Sequence, residues 1–199
     1  MQSTVHLYNT ALARLGGEQL ARNISPLEQG ATGQICENLF PHVLDMTLAA
    51  HAWAFATCRQ TLAAPVLRDD VNPAYPFAYE LPSDCVKLLH LEGIAGMGRT
   101  PTYVVEGNTI RASVDRAVLV YVARVTDPKL WPPLFADALA WAMAAELASA
   151  INNDAQKQQQ CHQAYRIALA DAVAVDQTNQ NPHPKQAEWT AARFGGGDY

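Results

Sequence analysis

The stretch Pro132–Ile151, PPLFADALAWAMAAELASAI, decides the fold. Pro132 and Pro133 suit the first turn of a helix, where a missing N–H forfeits no bond. From Leu134 onward Ala and Leu dominate, both strong helix formers. One apolar stripe runs through Leu134, Ala138, Trp141, Ala145 and Ala148, and a second through Phe135, Leu139, Ala142 and Leu147. Together they cover most of the circumference, so the spacing predicts a helix buried on nearly every side. Trp141 and Phe135 supply bulk, and the alanines let neighbouring helices come close. A membrane span would need about 18–20 apolar residues with few charges. Asp137 and Glu146 interrupt the run, which favours a core helix around which other helices pack.

Working back from this helix, Asp127-Pro128 ends a β-like stretch, Val118–Val125. The whole middle of the chain has a period of two rather than 3.6. Phe77–Leu81, Val86–Leu91, Thr102–Val105 and Thr109–Ala112 are further short strands. Gly107-Asn108 between two of them marks a hairpin with a II′-type turn. Upstream, helical spacing returns. Ser3 or Thr4 caps a helix with Val5, Tyr8, Leu12 and Leu15 on one face, ended by Gly16-Gly17. A second helix runs from Leu27 or Gly30 to Ala50, its apolar face Ile35, Leu39, Val43, Met46 and Ala50. Pro41 lies inside it and predicts a kink or break. Trp53 and Phe55, in HAWAFATCRQTL, point the same way if that segment is extended.

Downstream, Asn152-Asn153-Asp154 is a turn with a helix cap. A fourth helix then reaches about Asp176, with Cys161, Tyr165, Ala168 or Leu169, Ala172 and Val175 on one face. Beyond it Gln177–Tyr199 is polar, with Pro182, Pro184 and the run Gly195–Gly197. Trp189, Phe194 and Tyr199 are large anchors along this arm, and Arg193 is placed to pair with an acidic group beside them. A few aromatics on a polar segment are what an arm that orders on a partner carries. The expected organisation is an α+β fold. About four helices form a bundle, with a small antiparallel β lobe inserted between the second and third long helices. The boundaries are 1–62 and 128–176 for the bundle, 63–127 for the lobe and 177–199 for the arm.

At 199 residues, 49% hydrophobic and 17% charged, the chain suffices for one domain with a sizeable core. A net charge of −5 and the lack of a Lys/Arg run argue against a general nucleic-acid binder. The N-terminus has polar residues where a signal peptide has its apolar core. Cys36, Cys58, Cys85 and Cys161 are far apart in apolar surroundings and read as reduced thiols. The six histidines form no HExxH or HxH pattern, and Cys161 and His162 diverge by about 100° on a helix, so no metal is expected. Asp69-Asp70 and the pair Glu80 and Asp84 read as solvated or turn-capping carboxylates. There is no GxSxG and no phosphate loop. GIAGMG at Gly93–Gly98 precedes strand-like PTYVVEGN, not the helix a dinucleotide site needs. Trp53, Phe55, Trp131 and Trp141 read as core. No catalytic residue and no cofactor is expected.

Five stretches, taken in order, carry a resemblance. They are NTALARLG (Asn9–Gly16), HAWAFA (His51–Ala56), YELPSDC (Tyr79–Cys85), YVARVTDP (Tyr121–Pro128) and PLFADALAWAMAAELA (Pro133–Ala148). Their order and spacing resemble the tail tubular protein A family of short-tailed phages and prophages, the head-to-tail adaptors or connectors, over Thr4–Asp176. Pro41 and the segment after Gln177 depart from the pattern. The resemblance implies a virion structural protein and not an enzyme. It would be made in the host cytoplasm and placed in the tail or neck as a homo-oligomeric ring, usually a dodecamer. Its partners would be the portal protein, neighbouring adaptor subunits, a nozzle or other tail protein, and genomic DNA passing without sequence-specific binding; no membrane is implied. Trp189, Arg193, Phe194 and Tyr199 would then be the partner-binding residues of the arm. A tail-associated cell-wall hydrolase and an unrelated helical interaction module are the alternatives.

Overall fold

The computed structural model describes residues 3–16, 30–63, 66–67, 74–93 and 101–180. The fold is mixed α+β. Its described helices are α1 (Thr4–Leu15), α2 (Ala31–Ala49), α3 (Pro133–Asn152) and α4 (Ala155–Gln180). Between α2 and α3 in the chain come β1 (Thr57–Thr61), β2 (Val66–Leu67), β3 (Phe77–Glu80), β4 (Cys85–Gly93), β5 (Tyr103–Glu106), β6 (Thr109–Ala112) and β7 (Ala117–Ala123).

The helix boundaries follow local chemistry. Ser3 Oγ accepts from the His6 N–H, 3.1 Å away, at the start of α1, and Gly16 ends that helix at φ 76°. The Asp154 carboxylate accepts from the Lys157 N–H at 2.9 Å and starts α4. Asn153, at φ 47°, makes the left-handed turn between α3 and α4. α2 is continuous through Pro41, so the expected break is absent. Proline removes a single backbone donor, and packing of the flanking turns against α3 holds the helix together across that loss. The buried face of α2 is also rotated from the expected one. Met46 is half exposed, and Thr47 is buried with its hydroxyl donating to the Val43 carbonyl at 2.8 Å.

α3 is the core helix that its stripes describe. From Ala138 to Ala148 each residue is buried or partly buried, with Leu139, Met143, Ala144, Ala145, Leu147 and Ala148 wholly enclosed. By length and composition alone Pro133–Ile151 would cross a bilayer; in the fold it is the helix that α1, α2 and α4 all pack against. Phe135 makes edge contacts with Trp53 and Phe55, at centroid distances of 5.0 and 4.8 Å. Trp141 is a correction: it is only partly buried, at the rim of the core rather than inside it.

A single small sheet is expected, but the strands form two. β1, β7 and β4 make a three-stranded antiparallel sheet in that order, and β2, β3, β6 and β5 a four-stranded one. The second contains the expected hairpin, with Glu106 opposite Thr109 across Gly107-Asn108. Gly107 has φ 61°, and Asn108 is not among the positive-φ residues, which is the II′ pattern. The three-stranded sheet is shared between two cores. Val122 of β7 packs with the helices, whereas Leu119, Tyr121 and Ala123 pack with Tyr79, Ile110 and Ala112 of the other sheet. The register of β4 shifts between Cys85 and Lys87 and again between Leu88 and His90. The extra residues, Val86 and Leu89, both pack on the helical core, so the two irregularities re-aim apolar side chains as bulges do. Between Trp53 and β1 the chain makes a 3-10 turn, Ala54–Ala56, where an extended passage is expected.

Candidate functional site

The described residues hold two polar clusters and several open surfaces. Among them no group of three His, Cys, Asp or Glu side chains is placed to hold a metal ion. Glu80 is exposed on β3, and Asp84 sits in the turn before β4. Cys161 is buried on α4 and His162 beside it is exposed. Asp69 and Asp70 lie outside the described residues. All four cysteines are free thiols.

Asp84 belongs to a polar cluster that closes the sheet. The Tyr121 hydroxyl donates within 3.1 Å of Gln60 Oε1 and 3.2 Å of Asp84 Oδ1. Burial, then the Asp84 carboxylate, pushes the Tyr121 hydroxyl up to about 12, so it stays a donor across the ordinary pH range. Arg124 grips Asp45 of α2 with two bonds of 2.6 Å, and the Asp84 carbonyl accepts from the Arg124 N–H at 2.8 Å. The Lys87 ammonium donates to the Ala49 carbonyl at 2.9 Å, a cation at the negative end of α2. These groups fasten sheet to helix and are already satisfied by one another.

A second polar cluster fastens the end of α4. Asp176 is 8% exposed. Both its carboxylate oxygens lie 3.2 Å from the Ala54 N–H, and it accepts from Gln180 Nε2 at 2.7 Å. Gln180 also donates to the Ala52 carbonyl at 2.9 Å. His51 Nε2 is 3.2 Å from Asp176 Oδ2. These bonds carry α4 to Gln180, four residues into the segment assigned to the arm. They also put Asp176 inside and leave Val175, expected on the packed face, half exposed.

The open surfaces among the described residues include two that expose large aliphatic side chains. On the helical side a groove of about 260 Å³ lies between α3 and α4, lined by Leu134, Asp137, Trp141, Ala164, Ile167, Ala168 and Asp171. The Arg14 guanidinium lies 3.9 Å above the Trp141 ring and is paired with the Asp137 carboxylate. That cation over the ring accounts for the partial burial of Trp141. On the β side β5 is an edge strand, with Val104 and Val105 39% and 45% exposed. The groove was missed in sequence: Ile167 falls off the apolar stripe of α4, and that misfit was its one signal. The expected arm residues Trp189, Arg193, Phe194 and Tyr199 lie outside the described residues.

No family model and no curated protein matches the chain.

Proposed function

We propose that the chain is a virion structural subunit, a head-to-tail adaptor that forms a ring under the portal, extends the DNA channel and provides a docking platform for later tail proteins. The observation that carries this reading is where the five resembling stretches fall. NTALARLG is the body of α1 with its Gly16 stop. HAWAFA joins α2 to β1, YELPSDC joins β3 to β4, and YVARVTDP leaves β7 toward α3. PLFADALAWAMAAELA is most of α3. They coincide with the core helix and with junctions that set the path of the chain. In this reading the helices are the bundle and the strands its inserted lobe.

The surfaces suit the assignment. A ring closed by head-to-tail contacts needs two unlike faces on each subunit; the α3–α4 groove and the β5 edge are two such faces. A net charge of −5 suits a channel through which DNA slides, because Lys/Arg contacts to phosphate would hold it. The arm, with Trp189, Arg193, Phe194 and Tyr199, then embraces the portal or an adjacent subunit.

Electron microscopy of the purified protein mixed with its portal is the direct test. Rings with portal-like symmetry are expected. A monomer that cleaves peptidoglycan would replace this reading with a cell-wall hydrolase, and a monomer without either property with a helical interaction module. Deleting residues 181–199 should leave a folded subunit that no longer decorates portal-bearing heads. Normal occupancy by the truncated subunit would move the portal contact to the bundle or the lobe.

A further inference from the structure

An unpaired sheet edge is a template for another strand, and natural sheets blunt it with short strands, charges, prolines or bulges. Of the four edges among the described strands, three are blunted. β2 is two residues long, β4 carries two register shifts, and β1 exposes Arg59 within the polar run TCRQT. β5 is the fourth. It pairs with β6 without a shift, holds no Lys, Arg or Pro, and exposes Val104 and Val105.

The backbone of β5 has the parity that a further strand needs. The Thr102 carbonyl accepts from the Ser113 N–H at 3.0 Å. Bonded and non-bonded pairs alternate along an antiparallel ladder. Val104–Arg111 and Glu106–Thr109 are therefore bonded pairs, and the N–H and C=O groups of Tyr103 and Val105 point away from β6. We propose that β5 pairs antiparallel with β5 of a second copy, about a two-fold axis at Val104, and so joins two four-stranded sheets into one. Tyr103 of each copy then exchanges main-chain bonds with Val105 of the other, which satisfies the outward groups of both strands. Each of these is also an aromatic–β-branched pair, a favourable cross-strand combination. Val104 meets its own counterpart at the non-bonded position between them. The charges suit a like strand. Glu106 is the one charge on β5, and Arg111 Nε already donates to its carboxylate at 2.7 Å. It falls opposite Thr102 of the other copy, so no carboxylate faces another, and a basic strand would find no free acid to pair with. The contact closes at two copies and does not rest on the adaptor reading.

Cross-linking reads the register directly. A Cys58→Ser background removes the exposed thiol. In it, Val104→Cys should give a disulfide-linked dimer under mild oxidation, because its Cα atoms lie about 4.5 Å apart across the non-bonded pair. Val105→Cys should link poorly, because its two copies lie diagonally, about 7–8 Å apart, past the reach of a disulfide. In sedimentation the parent should move from monomer toward dimer as its concentration rises. Val105→Pro removes an N–H that β6 does not use and should stay monomeric, with a thermal midpoint close to that of the parent. Val105→Lys, which keeps the N–H and blunts the edge, should do the same and guards against a folding defect in the proline variant. A parent that stays monomeric at every concentration overturns the proposal. So does linkage through Val105→Cys as efficient as through Val104→Cys. Association that survives both Val105→Pro and Val105→Lys also overturns it, by assigning the contact to another surface.

Discussion

Asp176 occupies a position where the apolar stripe of α4 asks for another aliphatic residue, and its carboxylate instead receives the Ala54 N–H and the Gln180 amide. A buried donor left without its acceptor costs about 1–3 kcal/mol. Asp176→Ala should therefore lower the unfolding free energy in urea by that amount, moving the midpoint down, and fray α4 from its C-terminal end, a loss visible in the exchange rates of its last turn. Nothing in the periodicity of α4 points to this pairing, because its partners sit on a turn far away in the chain. The aromatic residues tell a similar story. Sequence spacing marks Phe135 and Trp141 alike as core, but spacing defines a face and not what covers it. Phe135 is 1% exposed, and Phe135→Ala should cost about 3–5 kcal/mol through lost burial and a residual cavity. Trp141→Ala should cost clearly less, because much of what it loses is a partly exposed cation–π contact worth about 0.5–1 kcal/mol. Equal urea midpoints for the two variants would contradict that difference.

Among the elements, the β5–β6 hairpin was legible, with β6 at its expected residues and β5 one residue further on than Thr102–Val105, since a two-residue turn and its flanking alternation are local signals. Its φ of 61° at Gly107 makes a further prediction. Gly107→Ala meets no neighbouring atom yet should cost about 1–2 kcal/mol, the penalty of the left-handed conformation for a residue with a Cβ. Gly107→Asn should cost less. α2 predicts the opposite sign. Pro41 is exposed and interior to a continuous helix, so Pro41→Ala restores a helix donor and should raise the thermal midpoint. The gain is about 3 kcal/mol at most, reduced by the roughly 0.4–1 kcal/mol that proline contributes by restricting the unfolded chain. What stayed hidden was sheet membership. β7 reads as a near-continuous apolar run, AVLVYVA, because Val122 faces the helices and Leu119 and Tyr121 the other sheet. Burial on both faces erases the polar half of the alternation that would have marked it as a shared strand.

Across the whole molecule, neutral groups held in the two cores set the response to alkali. Burial pushes the Cys36 thiol from its ordinary 9.0 up to about 11 and raises the Tyr8 hydroxyl as well. In the unfolded chain Cys36 loses its proton first, so above about pH 9 the unfolded state binds fewer protons and stability falls with pH. The contribution is whole below pH 9 and gone once the pH passes 11. Urea midpoints at pH 8 and pH 10.5 should therefore differ more for the parent than for Cys36→Ala. The α+β class and the strands from Phe77 onward were open to a reader of the sequence; β1, inside the stretch 1–62 assigned to the bundle, β2 and the groove were not, since each depends on what a distant segment places beside it. The shared strand also dictates an order of events during synthesis. β1 and β4 both lie beside β7, so neither has its sheet partner until residues 117–123 have left the ribosome. A nascent chain halted before Ala117 holds α1, α2 and the early strands with their edges unclosed and with α3 still unmade. Such a chain should bind chaperones and be cut readily by protease, and resistance should arrive in one step once α3 and α4 emerge. Helix and sheet therefore mature together, late, and a subunit truncated anywhere upstream of α3 should have no native part to contribute to an assembly.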